Sequence, residues 1–209
     1  TILAIPQAIA LGSNELIIGS VEAIDGTPPK LGTVSLTSII GHSTAEPGSR
    51  ITIIPGATLN HAVDAIPDAV DVVVNGTFTN GAVDTIGSLA GTGRVDLATS
   101  ALTVGRNDTS TTFGGILSGS GAFIKTGTGR LDLTGGLNPY TGPVTINGGI
   151  LAFSGEGKLT NSGATAFTLL GNGMLVLDNT VVNATNRLAG ATPGIPFNGG
   201  IFRFAGKDG

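Results

Sequence analysis

Very few residues in this chain are of types that do chemistry. His42 and His61 are its two histidines, and cysteine is absent, which removes disulfides, thiolate metal sites and a Cys nucleophile. Neither histidine stands in an HxH or HExxH arrangement. A Ser-His-Asp triad can be assembled on paper from His61, Asp64 and one of many serines, but no GxSxG elbow accompanies it, and surface-loop polarity accounts for these residues. The carboxylates Asp64, Asp68 and Asp71 lie in HAVDAIPDAVDVVV. Acid-base work on a polysaccharide would need them on one face with a basic partner. Pro67 interrupts the run and no basic residue is near after Arg50, so a solvated loop is expected, with a weak Ca²⁺ site as a second option. The calcium-binding nonapeptide GGxGxDxUx does not occur. No catalytic, cofactor-binding or metal-ligating residue is therefore assigned, no cofactor is expected, and the chain reads as a non-enzyme.

Any such groups must be carried by a frame, and the frame is unusual. Glycine supplies 35 of 209 residues, yet the spacing is not Gly-X-Y and proline numbers only 10, so collagen is excluded. A charged fraction of 11 % beside 40 % hydrophobic residues is unlike a disordered chain. With eight Phe, one Tyr and no Trp, a core must be built from Ile, Val, Leu and Ala. The net charge of −4 is spread thinly without a basic stripe, so nucleic acid and anionic lipid are poor partners. No run of about 18 apolar residues exists to insert this segment in a membrane as a helix. The chain begins with Thr1, and TILAIPQAIALG lacks the positive n-region of a signal peptide; a processed chain or a fragment is the expectation.

Glycine interrupts every candidate helix, whereas short alternating runs recur: Ile51-Thr52-Ile53, Val95-Asp96-Leu97, Leu102-Thr103-Val104, Leu131-Asp132-Leu133, Val144-Thr145-Ile146 and Phe202-Arg203-Phe204. Each places two apolar side chains on one face. The runs also repeat: LAGTGRV at 89–95 matches LSGSGAF at 117–123, and Leu102-Thr103-Val104-Gly105 matches Leu131-Asp132-Leu133-Thr134. A period of roughly 20 to 30 residues with glycine-rich corners is one coil of a β-solenoid. About eight to ten coils, at about 4.8 Å each, would make a rod roughly 40 to 50 Å long. Glycine and asparagine are expected at corners needing positive φ. The dipeptides Asn75-Gly76, Asn80-Gly81, Asn147-Gly148, Asn172-Gly173 and Asn198-Gly199 leave an antiparallel β-sandwich as the alternative, although the Val-Asn-Gly, Ile-Asn-Gly and Phe-Asn-Gly corners equally suit a stacked Asn ladder. Residues 1–45, with DGTPPK at Asp25 to Lys30 and the loop His42 to Ser49 running just past them, read as less regular coils or a cap; residues 46–209 read as regular solenoid, in one continuous domain. The last segment still has coil character, so its open edge invites pairing.

Residues 72–155 resemble the passenger-associated repeats of bacterial autotransporters. From Ser118 to Gly155 the order SGSGxxxKTGxGxLxLTGxNxYTGxxTINxGxLxxSG is kept nearly whole, through Gly119, Gly121, Lys125, Gly127, Gly129, Leu131, Leu133, Asn138, Tyr140, Asn147 and Gly148. Residues 174–206 are more loosely similar to the LxLDN and NRL coils that follow such repeats. The resemblance implies an all-β, right-handed parallel β-helix, exported and presented outside the cell as a stalk, adhesin or fibre. The family's translocator barrel has no counterpart here. Lys125 is expected to blunt the sheet edge or lie over a neighbouring coil, and Tyr140 to pack on the corner at Pro139.

With ten Lys or Arg and 14 Asp or Glu on about 9,000 Å² of exterior, the surface is weakly charged and suited to association. The expected partners are the chain itself, or neighbouring coils of a longer one, with a host or surface glycan as a further class, although regular TxT ladders are not seen. The first function expected is that of an extracellular structural segment of a bacterial surface fibre, stalk or adhesin. A polysaccharide-active β-helix enzyme and a secretion scaffold that presents another domain are the alternatives.

Overall fold

The structure is a computed structural model and describes residues 2–5, 15–19, 33–36, 48–64, 66–159, 166–188 and 195–206. DGTPPK and most of the loop from His42 to Ser49 lie outside the described residues, His42 among them. Strands come round in coils. β1 (Ile2–Ile5) and β2 (Glu15–Ile18) are followed by β3 (Thr33–Leu36) and β4 (Arg50–Ile53), then β5 (Thr58–His61) and β6 (Asp71–Val74). Three coils of three strands succeed them: β7 (Thr77–Asn80), β8 (Asp84–Ile86) and β9 (Ser88–Ala90); β10 (Arg94–Asp96), β11 (Leu102–Val104) and β12 (Thr111–Phe113); β13 (Ile116–Ser118), β14 (Phe123–Lys125) and β15 (Arg130–Leu133). The rest is β16 (Val144–Ile146), β17 (Gly149–Phe153), β18 (Phe167–Leu170), β19 (Gly173–Asp178), β20 (Phe197–Asn198) and β21 (Ile201–Ala205).

Every described strand pairs in parallel with an equivalent in a neighbouring coil, and most with one above and one below, which makes a β-solenoid and not the antiparallel sandwich that the Asn-Gly pairs allowed. The sheet β1-β3-β5-β7-β10-β13 and the sheet β8-β11-β14-β16-β18-β20 each stack six coils, slightly different from the eight to ten expected. The sheets β2-β4-β6-β9 and β12-β15-β17-β19-β21 meet at a bridge between Gly91 and Phe113. Beyond β13 the first sheet thins to single parallel bridges, Asn138 to Leu159 and Leu159 to Leu188.

The alternation read from the sequence sets the burial. In β6 the pattern is half-buried, buried, half-buried, buried over Asp71–Val74, and β5, β7 and β15 repeat it. In-register pairing stacks the inward residues into rows: Leu59, Phe78, Val95 and Leu117 in one sheet, and Leu131, Leu151, Leu175 and Phe202 in another. Leu59, Phe78 and Val95 are completely buried, each worth roughly 1.5–3 kcal/mol relative to exposure. Strands this short hold because they are stacked, most of them paired on both edges.

Positive φ is found at ten of the described glycines, Gly91, Gly105 and Gly119 among them, and at Asn186. The Asn-Gly pairs differ from expectation: none of their asparagines has a positive φ, and of their glycines only Gly199 does, at 91°. At Gly76 and at other corners glycine is required by close approach of the neighbouring coil. A Cβ at Gly76 would stand 2.3 Å from the Ala57 carbonyl oxygen, one at Gly93 2.2 Å from that of Gly76, one at Gly115 2.0 Å from that of Gly93, and one at Gly135 2.0 Å from that of Gly115. No Asn ladder forms, because Asn75 and Asn147 sit beside different sheets; Asn75 instead accepts a bond from the Thr92 N–H of the next coil at 3.2 Å.

Candidate functional site

Polar side chains inside the solenoid are the first candidates for function. In the row Ile86, Val104, Lys125, Ile146 and Leu169, four positions are aliphatic and the middle one is a lysine. Lys125 is 1 % exposed, so it neither blunts an edge nor lies over a coil: it is a core rung. β14 turns Phe123 and Lys125 to the same face, and the ammonium reaches back to donate to its neighbour's carbonyl, Thr126 O, at 2.5 Å. Burial pushes the amine down to about 8, against the opposing pull of Asp108.

Asn138 and Tyr140 lock the next corner. Asn138 Oδ1 accepts from the Leu117 N–H at 2.7 Å, and its Nδ2 donates to Gly135 O at 2.6 Å and Lys158 O at 2.9 Å. One buried amide thus binds three successive coils. Tyr140 is fully buried, with its hydroxyl 2.6 Å from Gly121 O and 2.8 Å from Pro143 O; one proton serves one acceptor at a time. Burial raises its phenol well above the ordinary value. Among the other motif residues, Leu131 and Leu133 are core rungs, Gly119 and Gly127 have φ of 94° and 69°, and Gly121 and Gly129 lie against the backbone of the preceding coil. Asn147 is exposed at a corner and Gly148 is buried. The motif is therefore a set of coil-to-coil fasteners.

The carboxylates and histidine assigned to loop polarity have more definite places. His61 is 1 % exposed and Asp84 2 %; the His61 imidazole is in direct contact with the Asp84 carboxylate, which also accepts from the N–H groups of Ile66 at 3.1 Å and Thr85 at 2.6 Å. Surface polarity is thus the wrong account of His61. Asp71 accepts from Ser88 Oγ and from Asn107 Nδ2 at 2.8 Å, and lies 3.7 Å from Arg50. Asp68 faces Arg106 at 3.8 Å, while Asp64 is exposed in a bend. Basic partners therefore stand closer than the sequence suggested, but each aspartate has its own surroundings.

Sequence reasoning missed Arg187 altogether. It is 3 % exposed and donates to Asn179 Oδ1, to Gly157 O at 2.7 Å, to Gly155 O at 2.9 Å, to Asp178 O at 2.8 Å and to Val182 O at 3.0 Å. Burial lowers its pKa, offset in part by Asp178 and Glu156. The guanidinium closes the 179–187 loop against the wall, which explains physically why LDN (177–179) and NRL (186–188) go together.

The comparisons agree with this geometry. The passenger-associated transport repeat family matches residues 123–153, the span that holds Lys125, Asn138, Tyr140 and Asn147. These residues carry the passenger-associated transport repeat of the autotransporters. The adhesin BmaC autotransporter of Brucella suis biovar 1 (strain 1330) is 32 % identical over 189 aligned positions, 78 % of this chain. The chain spans only 5 % of that protein's length. No solved structure matches the chain at significant similarity.

Two outer features of this passenger-repeat solenoid face solvent. At one end, Phe202 and Phe204 continue the inward rows Leu151–Leu175 and Phe153–Leu177, yet are 39 % and 61 % exposed. Phe197 and Ile201 beside them are also exposed, with Phe197 and Phe202 edge to face at 6.4 Å. On the flank, a groove of about 380 Å³ crosses the outer face of the five-stranded sheet, and Arg130, Asp132 and Asp178 line it.

Proposed function

We propose that this chain is a non-enzymatic, length-building segment of an adhesin-like passenger, presented at the bacterial surface or outside the cell, and that it associates through its coil ends. Its internal polar groups support that reading, because Asn138, Tyr140 and Arg187 spend their bonding capacity on the backbone of neighbouring coils, and Lys125 on the carbonyl of the next residue. Similarity to an adhesin autotransporter supports the location and the adhesin role. The observation that carries association is the β21 end, where Phe202 and Phe204 stand in core register with solvent on the side a further coil would cover.

The occupant is a further parallel coil of the same kind, in a second copy when this chain is studied alone. Covering the end would bury Phe197, Ile201, Phe202 and Phe204 and pair the free edge of β21. Sedimentation velocity across a concentration series is the test. Reversible end-to-end species are expected, and Phe202→Lys with Phe204→Lys should return the chain to monomer while circular dichroism retains the β-signal. A chain that stays monomeric at every concentration, or a double variant that associates as before, would overturn association through this end.

A further inference from the structure

The flank groove is a separate feature from the coil end, and its chemistry is specific. Its floor is two outward rows of the sheet: Thr112 beside Asp132, and Thr134, Ser154 and Asp178 in successive coils. Arg130 grips Asp132 with two prongs, Nε to Oδ2 at 2.5 Å and Nη2 to Oδ1 at 2.7 Å, and Ser154 Oγ donates to the same carboxylate at 2.8 Å. Asp178 Oδ1 accepts from Thr180 N–H at 3.1 Å and Oγ1–H at 2.6 Å, which leaves Oδ2 facing Arg130 Nη2 at 3.6 Å. The charges are held in place by one another, so the groove is organised before any ligand arrives.

Elimination narrows the ligand. With one guanidinium against two carboxylates, the site carries a net negative charge and repels anions. Arg130 lies between the carboxylates, where a metal ion would have to displace it. Val181 is the one sizeable apolar residue in the lining, which leaves nothing to anchor an apolar peptide. What remains unsatisfied is a mixture: a carboxylate oxygen at Asp178, guanidinium N–H groups beyond the two committed to Asp132, and hydroxyls at Thr112 and Thr134. Such a mixture matches a molecule whose neighbouring hydroxyls both donate and accept. We propose that this groove is a binding site for a short neutral saccharide, with vicinal hydroxyls donating to Asp178 and a ring or hydroxyl oxygen accepting from Arg130. Its volume falls at the small end of ligand sites, and its place on the flank keeps it open when coils stack at the end.

The test titrates ¹⁵N-labelled chain with lactose, maltose and α-mannobiose, with digalacturonate as the anionic control, and follows the amides of Thr112, Ser154 and Thr180. At least one neutral disaccharide should shift these amides saturably and digalacturonate should bind more weakly. Asp178→Asn should weaken binding roughly tenfold, the loss of one charge-assisted bond, with the β-signal in circular dichroism retained. Thr112→Phe, at an exposed position, should block the groove without unfolding the chain. Absence of shifts at these amides with all three sugars, or equal affinity in both variants, would overturn the proposal. Neither result bears on coil-end association, which Phe202 and Phe204 report.

Discussion

Replacing Lys125 by methionine tests whether the solenoid carries a buried charge at a cost. The folded amine sits at about 8 against an ordinary 10.5; at 1.36 kcal/mol per unit, the folded state at neutral pH bears roughly 3 kcal/mol for keeping it protonated. Methionine has similar length and no charge, but it strips Thr126 O of its donor, which costs about 1–3 kcal/mol. The balance is between roughly 0 and 2 kcal/mol in favour of Lys125→Met near neutrality. The dependence on pH is more diagnostic. Between about 8 and 10.5 the unfolded lysine keeps its proton while the folded one releases it, so the unfolded state binds more protons and wild-type stability rises with pH. Below about 8 both are protonated and the penalty is constant. The wild type should therefore gain roughly 3 kcal/mol on the variant across that window. Urea unfolding followed by far-ultraviolet circular dichroism, on both proteins at a series of pH values, measures the difference and cancels the other titrating groups. A difference that stays level within about 0.5 kcal/mol would refute the account of Lys125 as a desolvated core rung.

Three further outcomes follow from the same geometry. Asn138→Ala removes three backbone bonds from three coils and should cost roughly 3 kcal/mol or more in urea unfolding. Tyr140→Phe should cost about 1–2 kcal/mol; because burial raises the folded phenol, wild-type stability should also fall as pH rises above about 10, where the unfolded tyrosine ionises first, and the variant should lack that fall. Gly115→Ala would place a methyl 2.0 Å from Gly93 O and 2.6 Å from the Phe113 ring, so a loss of several kcal/mol and poor soluble expression are expected; a fully stable variant would show that the coils can separate at that corner.

The sequence carried more of the interior than composition suggested. Strand parity alone places Lys125 with Phe123, His61 with Leu59 and Asp84 with Ile86, each two residues from an inward hydrophobe. Reading polar type as exposed is what misassigned Lys125 and His61; period-two position was the better guide. Asn138 and Tyr140 lie at corners, and Arg187 in a loop, where no period applies. Their partners at Leu117, Lys158, Gly121 and Gly155 are about one coil away in sequence and adjacent only once the coils stack.

Alternation of branched apolar and polar residues, with glycine at a repeat of one coil, pointed to a solenoid with a thin aliphatic core, because short strands bury their inward side chains only when stacked on others; that the pairing is parallel and not the sandwich of Asn-Gly hairpins was decided by the stacked register. What glycine does at corners such as Gly76 and Gly115 was decided by tertiary structure: the backbone of the next coil comes within reach of a missing Cβ, a contact that φ preferences do not encode. The flank groove and the exposed phenylalanine end were likewise decided in three dimensions. Arg130 and Asp132 share one strand, but Asp178 comes from another coil, and whether Phe202 is core or surface depends on whether another coil lies over it.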